Sequence, residues 1–313
     1  MNLKFYFDYE AAGNPYFRQI YHGIFNRFKL DHPEDNITYE QPDYQKLGYA
    51  QGGPGGLSNF QIINQDNNKT IVISFWDRGM DLLLPGMGWE KYNFVQYIGG
   101  IGMSMTSEEI EIKHKIKHTK FQYPLGNRDS LDNILKIRSQ YDPRQKIRKA
   151  VFIGTPYATR AELIPILNKN PLFEFIDGSA GFTAASYLEK INEYRVALCF
   201  NAMAETSIRD IEILGLGIPM LRSELTTQFF NPLIPNHHYI RASERCTAGY
   251  LTYPGIPMES IAAQFIESLE KIIDDNNYLI NVSNNARNYF DSYCQTNYIV
   301  DLFFKVADLD LLK

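Results

Sequence analysis

The chain has 313 residues, enough for two hydrophobic cores, with 44% apolar residues, 21% charged residues and a formal net charge of -5. That balance lacks the basic excess of a nucleic-acid binder, and no apolar run approaches the roughly 20 residues that span a bilayer. Cys199, Cys246 and Cys294 suit neither a disulfide framework nor a zinc spacing, and the amino terminus turns charged too early for a secretory leader, so a cytoplasmic protein is expected.

In chain order, Leu3 to Tyr9 reads as a strand and "AAGNP" turns the chain. Tyr16 to Phe28 then has helical spacing in Phe17, Ile20, Tyr21, Ile24, Phe25 and Phe28. The loop "YAQGGPGGLSN" leads into a β-branched strand, "TIVISFWD", at residues 70–77. A strand-like "NFVQYIGG" precedes the charged run "EEIEIKHKIKH", in which "KHKIKHTK" alternates like a strand with a basic exposed face. "SQYDPRQKIRK", near 140–150, is charged, holds a proline and has no apolar period, so it is the linker candidate.

A second β-α series follows at once: strand 150–154, helix Arg160 to Leu167, strand 173–177, helix 184–194 and strand 195–200. The apolar helix that follows is headed by Ser207 and leads to a strand at "IPMLR". The tail reads as helical from Ser260 to Ile273 and from about Ser283 to Val306. Alternating strands and helices predict an α/β fold with domains 1–147 and 148–313, the last helices packing back on the first domain.

Two helix starts carry the chemistry. In "ETSIRDIEILGLGIPMLRSEL", Ser207 with Asp210 three residues on resembles a capping box, so a helix begins just after a strand. Free N–H groups and the positive dipole end make such a start an anion site, at the carboxyl edge where open α/β sheets bind ligands. Arg209 would add a charge-assisted bond to a phosphate, and Glu212, one turn on, would accept from sugar or ribose hydroxyls. The competing reading is a surface Arg209–Glu212 ion pair. "FIGTPYATR" offers a parallel case: Gly154 and Thr155 follow a strand, and Arg160 lies in the next helix's first turn. Gly154 would allow close approach of a phosphate that Arg160 neutralises.

"VFIGTPYATRAELIPIL" together with "SIRDIEILGLGIPMLRSELTTQFFNPLIPNHHYI" resembles the donor-binding half of glycosyltransferase family 90, the protein O-glucosyltransferase and capsule-associated family. The resemblance covers roughly residues 150–306 and includes Phe229, Phe230, Leu233, Pro235, His238 and Tyr239. It implies a GT-B fold, two Rossmann-like doubly wound domains facing across a cleft that holds a nucleotide sugar. It further implies a nucleotide diphosphate sugar donor, a glycan or glycoconjugate acceptor, no cofactor and no obligatory metal. Gly154, Thr155, Arg160, Ser207, Arg209, Glu212 and His238 would face the donor. One departure stands out: the family's usual arginine before the first glycine is Ile153 here.

An inverting transfer needs a base to deprotonate the acceptor hydroxyl while donor-binding groups hold the leaving diphosphate. The candidates are Asp8, which ends the first strand, and Asp77, which ends "TIVISFWD"; each is equally a turn or capping aspartate. His114 and His118 are four apart but have no third ligand in view, and "GGPGG" at 52–56 lacks the Lys-Ser/Thr ending of a phosphate loop. Tyr and Phe, 21 and 20 in number, suit cores and sugar platforms alike. Two alternatives to a glycosyltransferase remain at this point: a non-catalytic interaction protein with the same fold, favoured by Ile153, and a nucleobase-modifying glycosyltransferase, disfavoured by the acidic charge.

Overall fold

The computed structural model describes residues 1–7, 15–40, 59–75, 91–101, 106–125, 128–156, 159–200, 205–244 and 256–313. In chain order these form β1 (Asn2–Tyr6), α1 (Pro15–Asp31), β2 (Asn36–Glu40), β3 (Asn59–Asn64), β4 (Lys69–Ser74), β5 (Phe94–Gly99), α2 (Ser107–His114) and β6 (Lys117–Lys120). They continue with α3 (Arg128–Ile137), β7 (Ile147–Ile153), α4 (Thr159–Leu167), β8 (Phe173–Ile176), α5 (Ala184–Ile191), β9 (Tyr194–Leu198) and α6 (Ile208–Leu216). Last come β10 (Met220–Ser223), β11 (Ile240–Ser243), α7 (Met258–Ile272), α8 (Asn276–Tyr293) and α9 (Thr296–Val306).

The chain divides into two compact units, Met1–Asn127 with Thr227–Asn231 and Tyr293–Lys313, and Arg128–Thr226 with Pro232–Ser292. The first division falls ahead of the charged stretch at 140–150, because α3 packs on α5 and α6. That stretch is itself anchored: Tyr141 is buried and its hydroxyl donates to the Arg195 carbonyl at 2.6 Å. Each unit is an α/β layer on a parallel-rich sheet, the organisation that the GT-B resemblance implies.

In the first unit the sheet order is β2-β1-β3-β4-β5-β6, with β3 antiparallel to β1 and β4 and every other pair parallel. The β3–β4 hairpin closes through asparagines: Asn64 and Asn67 side chains accept from Asp66 and Lys69 N–H groups, and Asn68 takes φ 56°. The helical face predicted from Phe17 to Phe28 is buried throughout, and Phe5 lies 5.2 Å from both Phe25 and Phe28. Much of the chain's aromatic share therefore goes into this core, at about 2–3 kcal/mol of burial per ring. Helix α9 closes the same core, with Val300 against Gly23 and an Arg27–Asp301 ion pair at 2.7 Å.

Two readings change here. "KHKIKHTK" is not one strand, because a Thr106–Glu109 capping box starts α2 and Lys115, at φ 52°, ends it before β6 begins. The tail from Ser283 to Val306 is two helices, since Gln295 takes extended angles at the N-cap position where α9 starts.

In the second unit all five strands are parallel, in the order β11-β10-β9-β7-β8. Ala150 and Phe152 join the core with Leu163 and Leu167 of α4 and Ile261 and Phe265 of α7, while the alternate Val151 and Ile153 are buried on the opposite face. Helices α4 and α7 pack on the Ala150–Phe152 face, whereas α5 and α6 pack with α3 and contribute nothing to that cluster. The strand order reverses between β7 and β9, so the two segments that leave their carboxyl ends diverge there, the place where doubly wound sheets hold ligands.

Candidate functional site

Strand pairing brings the two predicted helix starts together, because β7 and β9 are neighbours. Helix α6 starts after Ser207, which takes extended angles; its N–H and hydroxyl both donate to Asp210, at 2.6 and 2.8 Å. From Asp210 to Leu216 every residue is buried, so a helix with a solvated first turn is not what forms.

Arg209 is half-buried, its guanidinium 4.9 Å from the centre of the Phe152 ring and 5.5 Å from that of Tyr187. Among the described residues no carboxylate pairs with it. Glu212 forms no surface ion pair either: it is buried, and one oxygen accepts from the Ser130 hydroxyl at 3.0 Å. Burial pushes its pKa up to about 7, against the opposing effects of the Ser130 hydroxyl and the Arg209 charge. Arg160 is also buried, donating to the Phe200 carbonyl at 3.1 Å with its guanidinium 5.2 Å from the Phe152 ring centre. Phe152 is thus a shared platform for both arginines.

Gly154 still donates to Ile176 at 3.0 Å, prolonging the β7–β8 pairing, and Thr155 beyond it is exposed. A Cβ on Gly154 would lie 2.9 Å from Arg209 Nη2 and 3.0 Å from Nη1, so this glycine makes room for the guanidinium. A Cβ on Gly178, in the turn after β8, would lie 2.8 Å from the Gly154 Cα. Ile153, where the family has an arginine, is packed in the sheet at 2% exposure.

Beneath this surface lies a third arginine that the sequence reading did not single out. Arg222, on β10, is fully buried; it pairs with Asp210 and donates to the Glu205 carbonyl at 2.7 Å. Glu205 in turn accepts from the N–H and hydroxyl of Thr226, both at 2.7 Å. The only signal was an arginine inside the apolar run "IPMLR", where a charge needs a buried partner. The thiol of Cys199, just past β9, is driven up by burial and by Asp210 and pulled back by Arg222, Arg209 and Arg160. All three guanidinium charges therefore act at the carboxyl end of β9.

His238 holds a turn: its Nδ1 accepts from the Ile234 N–H at 2.9 Å and its ring packs on Tyr289. Burial, then His237, lowers its pKa to about 4, so it is neutral at pH 7. His118 is buried beside Tyr97 with Nδ1 3.0 Å from the Ser107 hydroxyl, while His114 ends α2. Asp8, Asp77 and the "GGPGG" run lie outside the described residues. No helix of the described residues is long and apolar enough to cross a membrane.

No protein-family model matches the sequence, and no curated protein matches it, so the family-90 resemblance rests on the motifs quoted above. Among solved structures, the chain is similar to TarM, with a TM-score of 0.47 and 11% identity over 94% of this chain and 58% of that one. It is similar to the pneumococcal O-GlcNAc transferase GtfA in complex with UDP and GlcNAc, at TM-score 0.44 and 11% identity over 75% of this chain and 51% of that one. A third is WaaG, a glycosyltransferase involved in lipopolysaccharide biosynthesis, at TM-score 0.40 and 9% identity over 95% and 97% of the two chains. The chain spans about half the length of GtfA.

Proposed function

We propose that this chain is a GT-B glycosyltransferase of the family-90 type, whose second unit binds a nucleoside diphosphate sugar and whose first unit binds the acceptor. One observation carries the reading. At the switch point of an all-parallel sheet, Arg209 presents a half-buried cation with no carboxylate partner among the described residues, beside the start of α6.

In this reading Arg209, Arg160 and the α6 dipole take the diphosphate, with Gly154 and Thr155 beside it and Ser207 at the helix start. Glu212 has one oxygen held by Ser130 and offers the other to a sugar hydroxyl. An acceptor hydroxyl attacks the anomeric carbon as its bond to the diphosphate breaks. The hydroxyl proton passes to a carboxylate of the first unit, Asp8 or Asp77, and the developing charge on the leaving diphosphate is met by the two guanidinium groups. Both aspartates follow strands, β1 and β4, that run in the same direction. His238 supports the site by fixing the turn before β11. With two arginines on the diphosphate, no divalent cation is required.

The test is release of nucleoside diphosphate from UDP-, GDP-, ADP- and TDP-linked sugars in EDTA, with Arg209→Gln as the control. Release above background that falls at least about ten-fold in the variant supports the reading. Nucleotide binding without any turnover would favour a non-catalytic role, and no binding at all would remove the donor site.

A further inference from the structure

The turn that joins α1 to β2, "HPED" at 32–35, brings three donor atoms of metal-ligand type together. The Asp35 N–H donates to the His32 carbonyl at 3.2 Å, which closes the turn over Pro33. The Asn36 N–H donates to the Met1 carbonyl at 3.0 Å, which docks the turn beside β1. Proline fixes its own backbone angle, so the three side chains stand on a stiff loop. His32 is held further by its N–H bond to the Phe28 carbonyl at 2.9 Å and by its ring, 5.7 Å from that of Phe28.

His32 Nδ1 lies 3.8 Å from Asp35 Oδ2 and 4.0 Å from Glu34 Oε1, and the three atoms fall within 4.8 Å of one another. These separations are too long for hydrogen bonds. The Asp35 side chain is 7% exposed. Its Oδ1 accepts from the Met1 amino group, whereas its Oδ2 is buried and has no hydrogen-bond partner among the described residues. A buried carboxylate oxygen without a donor costs free energy, and a cation at that point offsets the cost. Three carboxylates, Glu34, Asp35 and Asp66, act on the one amino group at Met1, so this corner keeps an excess of negative charge.

One imidazole and two carboxylates suit a borderline divalent ion such as zinc better than magnesium or calcium, which take oxygen ligands. Ligands about 2.1 Å from a tetrahedral ion stand about 3.4 Å apart, so the two His32 separations need shorten by only about half an ångström. We propose that His32, Glu34 and Asp35 form a zinc site, through Nδ1 and one oxygen of each carboxylate, with water in the fourth position. The turn feeds the amino end of β2, which runs parallel to β1, so the ion sits at the edge of the sheet opposite the carboxyl end of β1. Its role is to clamp the end of α1 to the start of the sheet, apart from sugar transfer and independent of the donor-site reading.

The test is calorimetric titration of the EDTA-treated, untagged full chain with zinc, magnesium and calcium chlorides, on wild type, Glu34→Gln and His32→Gln. The Glu34 side chain is 71% exposed, so Glu34→Gln leaves the fold intact. The expected result is one zinc ion per chain, held at least about ten-fold more weakly by each variant. Zinc at about a hundred-fold excess over its dissociation constant should also raise the unfolding midpoint of wild type by about 5–10 °C. Cobalt(II) in the same site should give the strong visible absorption of a four-coordinate ion, lost in His32→Gln. No zinc binding to wild type, or zinc held as tightly by either variant as by wild type, overturns the site. Magnesium or calcium bound as tightly as zinc overturns the role of the imidazole.

Discussion

Replacing Gly154 by alanine separates what the glycine does from what the fold needs. Gly154 lies outside the left-handed region, so alanine introduces no backbone strain. Its methyl group would lie 2.9 and 3.0 Å from the two terminal nitrogens of Arg209 and 3.0 Å from the Phe152 ring, where ordinary contact begins at 3.4 Å. The guanidinium, as the end of a flexible side chain, must move by about half an ångström or leave, and Phe152 resists more. Overpacking of this kind costs about 1–3 kcal/mol, or roughly 2–10 °C in the midpoint of unfolding. Donor binding should fall further, by about ten-fold or more, because the displaced cation forfeits a charge-assisted contact to the diphosphate. Gly178→Ala makes the contrast: its methyl would meet the Gly154 backbone at 2.8 Å, and backbone yields less than a side chain. Thermal unfolding and nucleotide titration on both variants check this. Wild-type affinity in a folded Gly154→Ala protein would refute the role assigned to Arg209.

Three further outcomes follow from the same geometry. Arg222→Met strands the Asp210 carboxylate, 3% exposed, and should lose about 3–5 kcal/mol in denaturant unfolding, with part recovered in the Arg222→Met/Asp210→Asn double variant; a loss below about 1 kcal/mol would contradict the buried pair. Glu212 has its pKa raised from 4.5 to about 7, so the folded state holds its proton more tightly than the unfolded one. Its contribution is therefore fully present below about pH 4.5 and lost as pH rises through about 7, roughly 3 kcal/mol in all. Glu212→Gln should flatten that slope in urea titrations from pH 4 to 8, and an unchanged slope would assign it elsewhere. Asp8→Asn or Asp77→Asn, whichever carries the base, should abolish transfer to acceptor and leave nucleotide affinity unchanged; full transfer in both variants would remove the proposed base.

The parts of the candidate site's geometry that were legible in the sequence are the local ones. The strand–glycine–arginine and strand–serine–arginine starts are written within a few residues, and so is the capping of α6 by Asp210. What surrounds them was not legible, because the partners come from far along the chain. Glu212 meets Ser130 from α3, Asp210 meets Arg222 from β10, and Gly154 meets Gly178 past β8. Those contacts turn an apparently solvated helix face into a buried one, and only the strand order creates them. Strand order also hid the reversed β3, whose hairpin depends on asparagine side chains, and the return of residues 227–231 to the first unit. The core face of α1 was readable because its period alone determines which residues are buried.

The central claim is that Arg209 binds the diphosphate of a nucleotide donor at the β7–β9 switch point. Its most direct test is a calorimetric titration of wild type and Arg209→Gln with nucleoside diphosphates at pH 7. The account predicts saturable binding at one site per chain in wild type, weakened at least about ten-fold in the variant with its unfolding transition intact. Equal affinity in the two proteins, or no heat of binding to any nucleoside diphosphate, would contradict it.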